Sequence, residues 1–385
     1  MAVTDPASNS ALNSASIDSS VAASLAVRLT EWQRKYGRHH LPWQKPRSDY
    51  RVWLSEVMLQ QTQVATVIPY FERFLRAFPS LQALAAAPSE QVMEQWSGLG
   101  YYSRARNLHR CAQLVVEHHG GKFPCTREAL MSLPGIGRST AAAIMVFAHG
   151  QRDAILDGNV KRVFCRHFGI TGVPDSAPVL RQLWPVAERE LAERNVVAYT
   201  QGLMDLGATI CLRTKPDCDR CPIAGTCQAF QQDRVHELPT RRKRASLPQR
   251  QTTVLVLLNE RREVLLQLRP DTGIWGGLLS LPESGLPPDS RSIAHLQDCG
   301  LGSMVAQSGH AGMSGPELAP INHTFTHFKL TLRPVVIRVS ASMPALNDST
   351  AGLARFVSLS QIETAALPRP IKTLLTRVSQ SESPT

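Results

Sequence analysis

No apolar run in the 385-residue chain approaches the roughly 20 residues that a membrane-spanning helix needs, which excludes a helical membrane protein. A basic leader is also missing. Met1 to Ser20 is rich in Ser, Ala and Asn and carries no Lys or Arg. It reads neither as a secretory signal nor as a packed element, so disorder is expected over residues 1–22. Thiols are scarce outside one patch. Of eight cysteines, Cys111, Cys125, Cys165 and Cys299 are scattered, while Cys211, Cys218, Cys221 and Cys227 fall together. So local a cluster in so large a chain argues against a disulfide framework and for metal binding. Acid is short as well: 42 Lys and Arg face 31 Asp and Glu, a formal charge of +11. Such a balance favours nucleic acid or another polyanion as partner.

A chain of this length suggests two or three domains. Apolar residues recur at helical spacing over 23–37, 51–68, 70–76, 81–86, 89–96, 104–118, 126–133, 139–149, 161–168, 177–194 and 196–210. Composition changes near residue 232, and 233–251 reads as a basic linker. Beyond it the period shifts to two, with strands expected over 253–259, 264–269, 325–333 and 334–339 and a polar tail over 379–385.

The most informative stretch is Leu133-Pro134-Gly135-Ile136-Gly137-Arg138-Ser139-Thr140-Ala141. Pro134 ends a short helix, two glycines make a tight turn, and a small-residue helix follows. A helix N-terminus beside bare glycine backbone is an anion site. Helix, glycine hairpin, helix is one form of DNA binder; an ordinary αα-turn is the alternative.

The cysteines read C-x6-C-x2-C-x5-C, which suits a compact iron–sulfur cube; a structural zinc is the alternative. Either would pin the basic loop around Arg213, Lys215 and Arg220. Glu56 lies in a largely apolar helix, where a carboxyl can hold its proton and act as a general acid; a solvated face or an ion pair with Arg51 is the alternative. Trp53, Gln60 and Gln63 are expected on its face. Asp157 is placed to cap the helix after it, which should keep it ionised. One protonated carboxyl and one carboxylate form the pair that breaks a glycosidic bond through an oxocarbenium-like state.

Glu56 within SEVMLQQTQV, Gly98 to Tyr102, LPGIGRSTA, LDGNVKRV and the four cysteines, in this order, resemble the adenine DNA glycosylase (MutY) family, a branch of the helix-hairpin-helix superfamily that includes endonuclease III. The resemblance is dense over 23–230 and weaker beyond. It implies a multidomain fold: an all-α helix-hairpin-helix glycosylase core (23–232) with an iron–sulfur loop (211–227), plus a C-terminal α+β Nudix-like domain (252–378). It implies removal of adenine mispaired with 8-oxoguanine or guanine in double-stranded DNA, with the base flipped out. Glu56 would protonate adenine N7, Asp157 would stabilise the sugar cation, and Asn159 would support it. Trp43, Gln60, Gln61, Thr62, Leu99, Tyr101, Gly135, Gly137, Arg138, Ser139 and Gln201 would meet DNA, with Gln61, Leu99 and Tyr101 inserted around the 8-oxoguanine. A 4Fe–4S cluster on Cys211, Cys218, Cys221 and Cys227 is implied, as is a monomeric, cytoplasmic bacterial enzyme.

Two further absences sharpen the reading. Bifunctional glycosylase-lyases of this superfamily carry a lysine nucleophile just after the hairpin glycines. Ser139 stands there, and a hydroxyl cannot form a Schiff base; capping its helix is its other reading. A working Nudix hydrolase needs G-x5-E-x7-R-E-x-x-E-E, and no such array follows Gly276-Gly277. The C-terminal domain is therefore expected to recognise rather than hydrolyse. Phe325, Thr326 and His327 match the family's 8-oxoguanine-sensing loop, with Thr326 where Ser is common; an ordinary β-hairpin is the alternative. Competing functions are an endonuclease III-like lyase, a non-catalytic DNA-structure binder and a Nudix nucleotide hydrolase.

Overall fold

The computed structural model describes residues 24–242, 246–301, 318–339 and 354–381, so the expected extension over 1–22 and the end of the tail lie outside the described residues. The helices run α1 (Leu25–Tyr36), α2 (Asp49–Leu59), α3 (Val64–Ala77), α4 (Leu81–Ala86), α5 (Ser89–Trp96), α6 (Ser103–His119), α7 (Arg127–Met131), α8 (Arg138–His149), α9 (Gly158–His167), α10 (Ala177–Arg189), α11 (Val196–Thr209) and α12 (Gln228–Gln231). The strands are β1 (Gln249–Asn259), β2 (Glu263–Leu268), β3 (Leu279–Ser280), β4 (Glu283–Ser284), β5 (Ile321–Thr324), β6 (Lys329–Val339) and β7 (Ala354–Ser358). Helix α13 (Ser292–Asp298) precedes β5, and α14 (Arg369–Ser381) follows β7, continuing through residues expected to be tail. The described residues fall into two compact units, one built from the stretches up to residue 38 and from 156 to 240, the other from 39 to 155 and beyond 240.

In the first unit α1 packs along α11, burying Leu29, Tyr199 and Leu203. Helix α9 crosses α11 at Gly207, where a side chain has no room: an added Cβ would lie 2.5 Å from Asn159 Cβ. Val235 and Leu238 join a small apolar cluster with Ala229 against Cys218 and Cys227. The residues first read as linker therefore begin as packed structure.

In the second unit an aromatic core holds α2 to α6. Trp53, Phe71, Phe74 and Trp96 are fully buried, and the Phe74 and Trp96 rings meet edge to face at 6.0 Å. Each such side chain stabilises by about 1.5–3 kcal/mol through burial. The single helix expected over 51–68 is two helices, broken at Gln60–Gln63, with Gln61 at φ +57°. Nothing in QQTQ forces the break. Arg104, 7% exposed, does: its Nη1 donates to the carbonyls of Val57 (2.9 Å), Met58 (2.7 Å) and Gln60 (2.6 Å), and its Nη2 to Thr62 Oγ1 (3.1 Å). These bonds satisfy carbonyls that a helix C-terminus leaves open. Gln60 and Gln63 consequently leave the helical face of Glu56.

The same unit carries the sheet, ordered β3-β2-β1-β6-β5, with β4 on β1 and β7 on β2. β1 and β6 are parallel over eleven residue pairs, Gln249↔Lys329 to Asn259↔Val339, and the other pairings are antiparallel. Val254 to Leu258 are all buried, as a central strand covered on both faces requires. Leu296 of α13 packs with Leu255, Leu257 and Ile337 on one face. The strands expected at 325–333 and 334–339 are instead one strand, β6, preceded by a hairpin whose turn is Phe325 to Phe328. Pro334 is tolerated inside β6 because the Lys329 N–H points at β1, donating to Pro248, so by alternation residue 334 faces the other edge. There β5 has already ended, with Ile321 opposite Leu332.

Candidate active site and nucleic-acid interface

In the second unit Glu56 sits mid-way along α2, half-buried between the buried Ser55 and Val57. Arg51, its expected ion-pair partner, gives its Nη2 to the Pro42 carbonyl at 2.6 Å and lies over the Phe71 ring. Trp43 and Leu99, expected to meet DNA, are buried at 8% and 6% exposure. Trp43 packs edge-on against Phe71, and its apolar ring gains more there than in water.

Gln61 and Tyr101 are exposed, each at positive φ (+57° and +48°). Tyr101 lines a cleft with about 1210 Å³ of empty space, open to solvent. Trp275, His323, Phe325, Thr326 and His327 also line it. Phe325 stacks on Phe328 (4.6 Å, 21°) and meets Trp275 at 5.4 Å and His323 at 4.5 Å. Thr326 and His327 stand exposed at the hairpin tip. Burial and the nearby Arg369 hold the His323 imidazole below its ordinary pKa, so it is neutral at physiological pH.

The glycine hairpin joins α7 to α8 in this unit. Thr126 caps α7 by accepting from Ala129 N–H (3.3 Å). Gly135 takes φ +78° and Ile136 is buried as the hairpin's anchor. Gly137, expected at positive φ, is extended (φ −92°) and is the N-cap of α8, so Ser139 stands inside the helix rather than capping it. Gly135 and Gly137 are exposed, leaving bare backbone beside the positive end of α8. An alanine at 135 would hold a strained backbone and press its Cβ to 3.0 Å from Asn107 Cβ. Gly135→Ala is expected to cost about 1–2 kcal/mol locally and to weaken duplex binding roughly tenfold. Binding isotherms over a salt series check this; unchanged affinity at every salt would remove the hairpin from the DNA interface.

In the first unit Asp157 is the N-cap of α9, as expected: Oδ1 accepts the Val160 N–H at 2.7 Å and Oδ2 accepts Asn159 Nδ2 at 3.3 Å. Arg162 continues the chain, donating to Asn159 Oδ1 (2.9 Å), the Gly207 carbonyl (2.6 Å) and the Cys211 carbonyl (2.7 Å). The cap acts in the expected direction, but burial outweighs it. Burial raises the Asp157 pKa above its ordinary value, and outweighs the bonds from Val160 and Asn159 and the Arg162 charge that lower it. Gln201 is buried in α11, donating to Asp205 Oδ1 at 2.8 Å; Asp205 also holds Arg38.

The model of the HhH-GPD superfamily of base excision DNA repair proteins matches residues 54–189, and a NUDIX domain model matches 253–377. The adenine DNA glycosylase of Buchnera aphidicola (Acyrthosiphon pisum) is 32% identical over 344 residues, covering 89% of this chain and 94% of the relative. The human adenine DNA glycosylase is 33% identical over 402 residues, covering 90% and 72%. The chain belongs to the adenine DNA glycosylase family. A thermostable thymine-DNA glycosylase structure is 27% identical with a TM-score of 0.49, covering 54% of this chain and 95% of that one.

Adenine DNA glycosylases of this type have a helical core with a C-terminal Nudix-like domain, and both are present here. Cys211, Cys218, Cys221 and Cys227 line one apolar pocket with Arg166, whose Nη1 lies 3.3 Å from Cys211 Sγ. Among the described residues no group of three or more His, Cys, Asp or Glu is arranged to grip a metal ion as it stands. The donor chemistry still fits a thiolate-bound group. Four sulfur donors lining a single apolar pocket are the donor set that such a group takes. Among the described residues no helix is long and apolar enough to cross a membrane.

Sequence reasoning passed over three residues. Arg104 and Arg106 read only as part of a helix, yet Arg104 is a buried hub and Arg106 donates to the Gly276 carbonyl. Trp275, whose Gly273-Ile274-Trp275-Gly276-Gly277 segment reads only as a turn, holds φ +56° and lines the cleft.

Proposed function

We propose that this chain hydrolyses the N-glycosidic bond of adenine mispaired with 8-oxoguanine or guanine, without cleaving the strand. The observation that carries this is the family membership over nearly the whole chain, joined to the carboxylate cap at Asp157. Adenine leaves the stack and enters the site. The Glu56 carboxyl gives its proton to adenine N7, the C1′–N9 bond breaks, and its electron pair stays on N9. The Asp157 carboxylate stabilises the cation left on the sugar. Water adds at C1′ and its proton leaves with solvent, giving free adenine and an abasic site.

Gln61 and Tyr101 enter the duplex beside the orphaned base, and the Phe325–His327 hairpin faces the 8-oxoguanine. Gln201 borders the adenine pocket, and Gly135, Gly137, Arg138 and Ser139 hold backbone phosphate. The four cysteines would hold a 4Fe–4S cluster, which when bound cross-links the loop that carries Arg213, Lys215 and Arg220. The Nudix-like part recognises rather than hydrolyses. Glu283 is engaged by Arg269 and Thr252, and His295 is fully buried against Ser284 Oγ at 2.9 Å. Ser139 supplies no amine for a Schiff base, which disfavours the lyase.

The test is a duplex with one A·8-oxoguanine pair, read with and without hot alkali. Breaks that appear only after alkali are expected. Breaks without alkali would establish a lyase, and tight binding with no product would leave a DNA-binding protein only.

A further inference from the structure

Two exposed tips in the second unit, Gln61 between α2 and α3 and Tyr101 between α5 and α6, belong to loops forty residues apart in sequence. Both hold left-handed backbone at non-glycine residues, which persists only where the surroundings over-determine it. One side chain touches both loops. Arg104 Nη1 takes the carbonyls that end α2, and Nη2 takes Thr62 Oγ1 (3.1 Å) and the carbonyl of Gly100 (3.2 Å). Its guanidinium also lies 5.5 Å from the Tyr101 ring and 5.3 Å from Trp96, whose indole N–H donates to the same Gly100 carbonyl at 3.1 Å.

We infer that Arg104 is a positioning residue that couples the Gln61 and Tyr101 tips into one rigid wedge, so that the two enter DNA together. This rests on the proposal that both tips enter the duplex. A planar fork is needed, because one cation must reach two loops in fixed directions; an ammonium on a flexible stem bonds one loop or the other. The wedge stays formed before DNA arrives, so ordering it draws nothing from the binding energy.

The test is a double-mutant cycle on the full chain, read as affinity for a duplex with an A·8-oxoguanine pair and as fluorescence of 2-aminopurine in place of the target adenine. In otherwise native protein, Gln61→Ala and Tyr101→Ala are expected to weaken binding by amounts whose combination departs from the product of the singles by about fivefold or more. In an Arg104→Lys background, shown by circular dichroism to be folded at the assay temperature, the departure is expected to vanish and the 2-aminopurine signal to fall. Strict additivity in native protein overturns the coupling without any variant at 104. Coupling that survives Arg104→Lys assigns it to another group and overturns the role of Arg104. If neither tip variant changes binding or base flipping, the wedge reading itself fails, a result distinct from additivity.

Discussion

Glu56→Gln is expected to bind duplex containing an A·8-oxoguanine pair within a few-fold of the native protein and to excise adenine roughly 10²–10⁴ times more slowly. The substitution keeps the shape of the side chain and its place mid-way along α2, where Ser55 and Val57 on either side are buried. Packing is therefore retained while the transferable carboxyl proton is lost. Adenine is a poor leaving group as an anion, so proton delivery to N7 carries much of the barrier. The loss should fall on the chemical step and leave ground-state affinity in place. Single-turnover excision under saturating enzyme is the measurement. A rate close to native would show that another group protonates the base, and the role of Glu56 would revert to that of a half-buried structural carboxylate.

How far these expectations could be read from sequence differs by element, for identifiable reasons. Helices α4 and α5 were legible end to end, because apolar spacing and a serine cap at Ser80 are local signals (Ala83 N–H to Ser80 Oγ, 3.1 Å). The hairpin was legible because Pro134 restricts the backbone and Gly135 admits the positive φ that the turn takes. The break between α2 and α3 was not. RVWLSEVMLQQTQVATVI contains neither Gly nor Pro, and the force that interrupts it comes from Arg104, more than forty residues onward. Phe325 to Phe328 reads both as the head of a strand and as a loop or hairpin, and the hairpin turn is what forms; its stacking with Trp275 is a long-range contact that no local pattern records. The cap at Asp157 was legible, and its burial was not. Dipole and hydrogen bonds follow from the sequence position, whereas desolvation depends on what packs around the carboxylate.

The raised pKa of Asp157 sets the second large effect. Asp157→Asn is expected to lower excision by roughly 10²–10³-fold, the scale for removing one preorganised charge from a developing cation. Asparagine caps a helix as well as aspartate does, so α9 should still start at Gly158. The folded-state pKa of Asp157 lies above its unfolded value, so the ionised side chain destabilises the fold at every pH above that folded pKa; the penalty vanishes below the unfolded pKa, where both states are protonated. The neutral variant therefore should melt at the same temperature as the native protein or higher, while losing activity, a trade of stability for function. The native enzyme should lose activity as pH falls through a midpoint above that of an ordinary aspartate. Asn159→Ala removes the 3.3 Å bond that favours the carboxylate and should move that midpoint higher still. Melting curves and a pH series of single-turnover rates decide the matter together. A sharp fall in melting temperature for Asp157→Asn would mean that the carboxylate serves the fold, and an acidic limb that ignores Asn159→Ala would mean that some other group sets it.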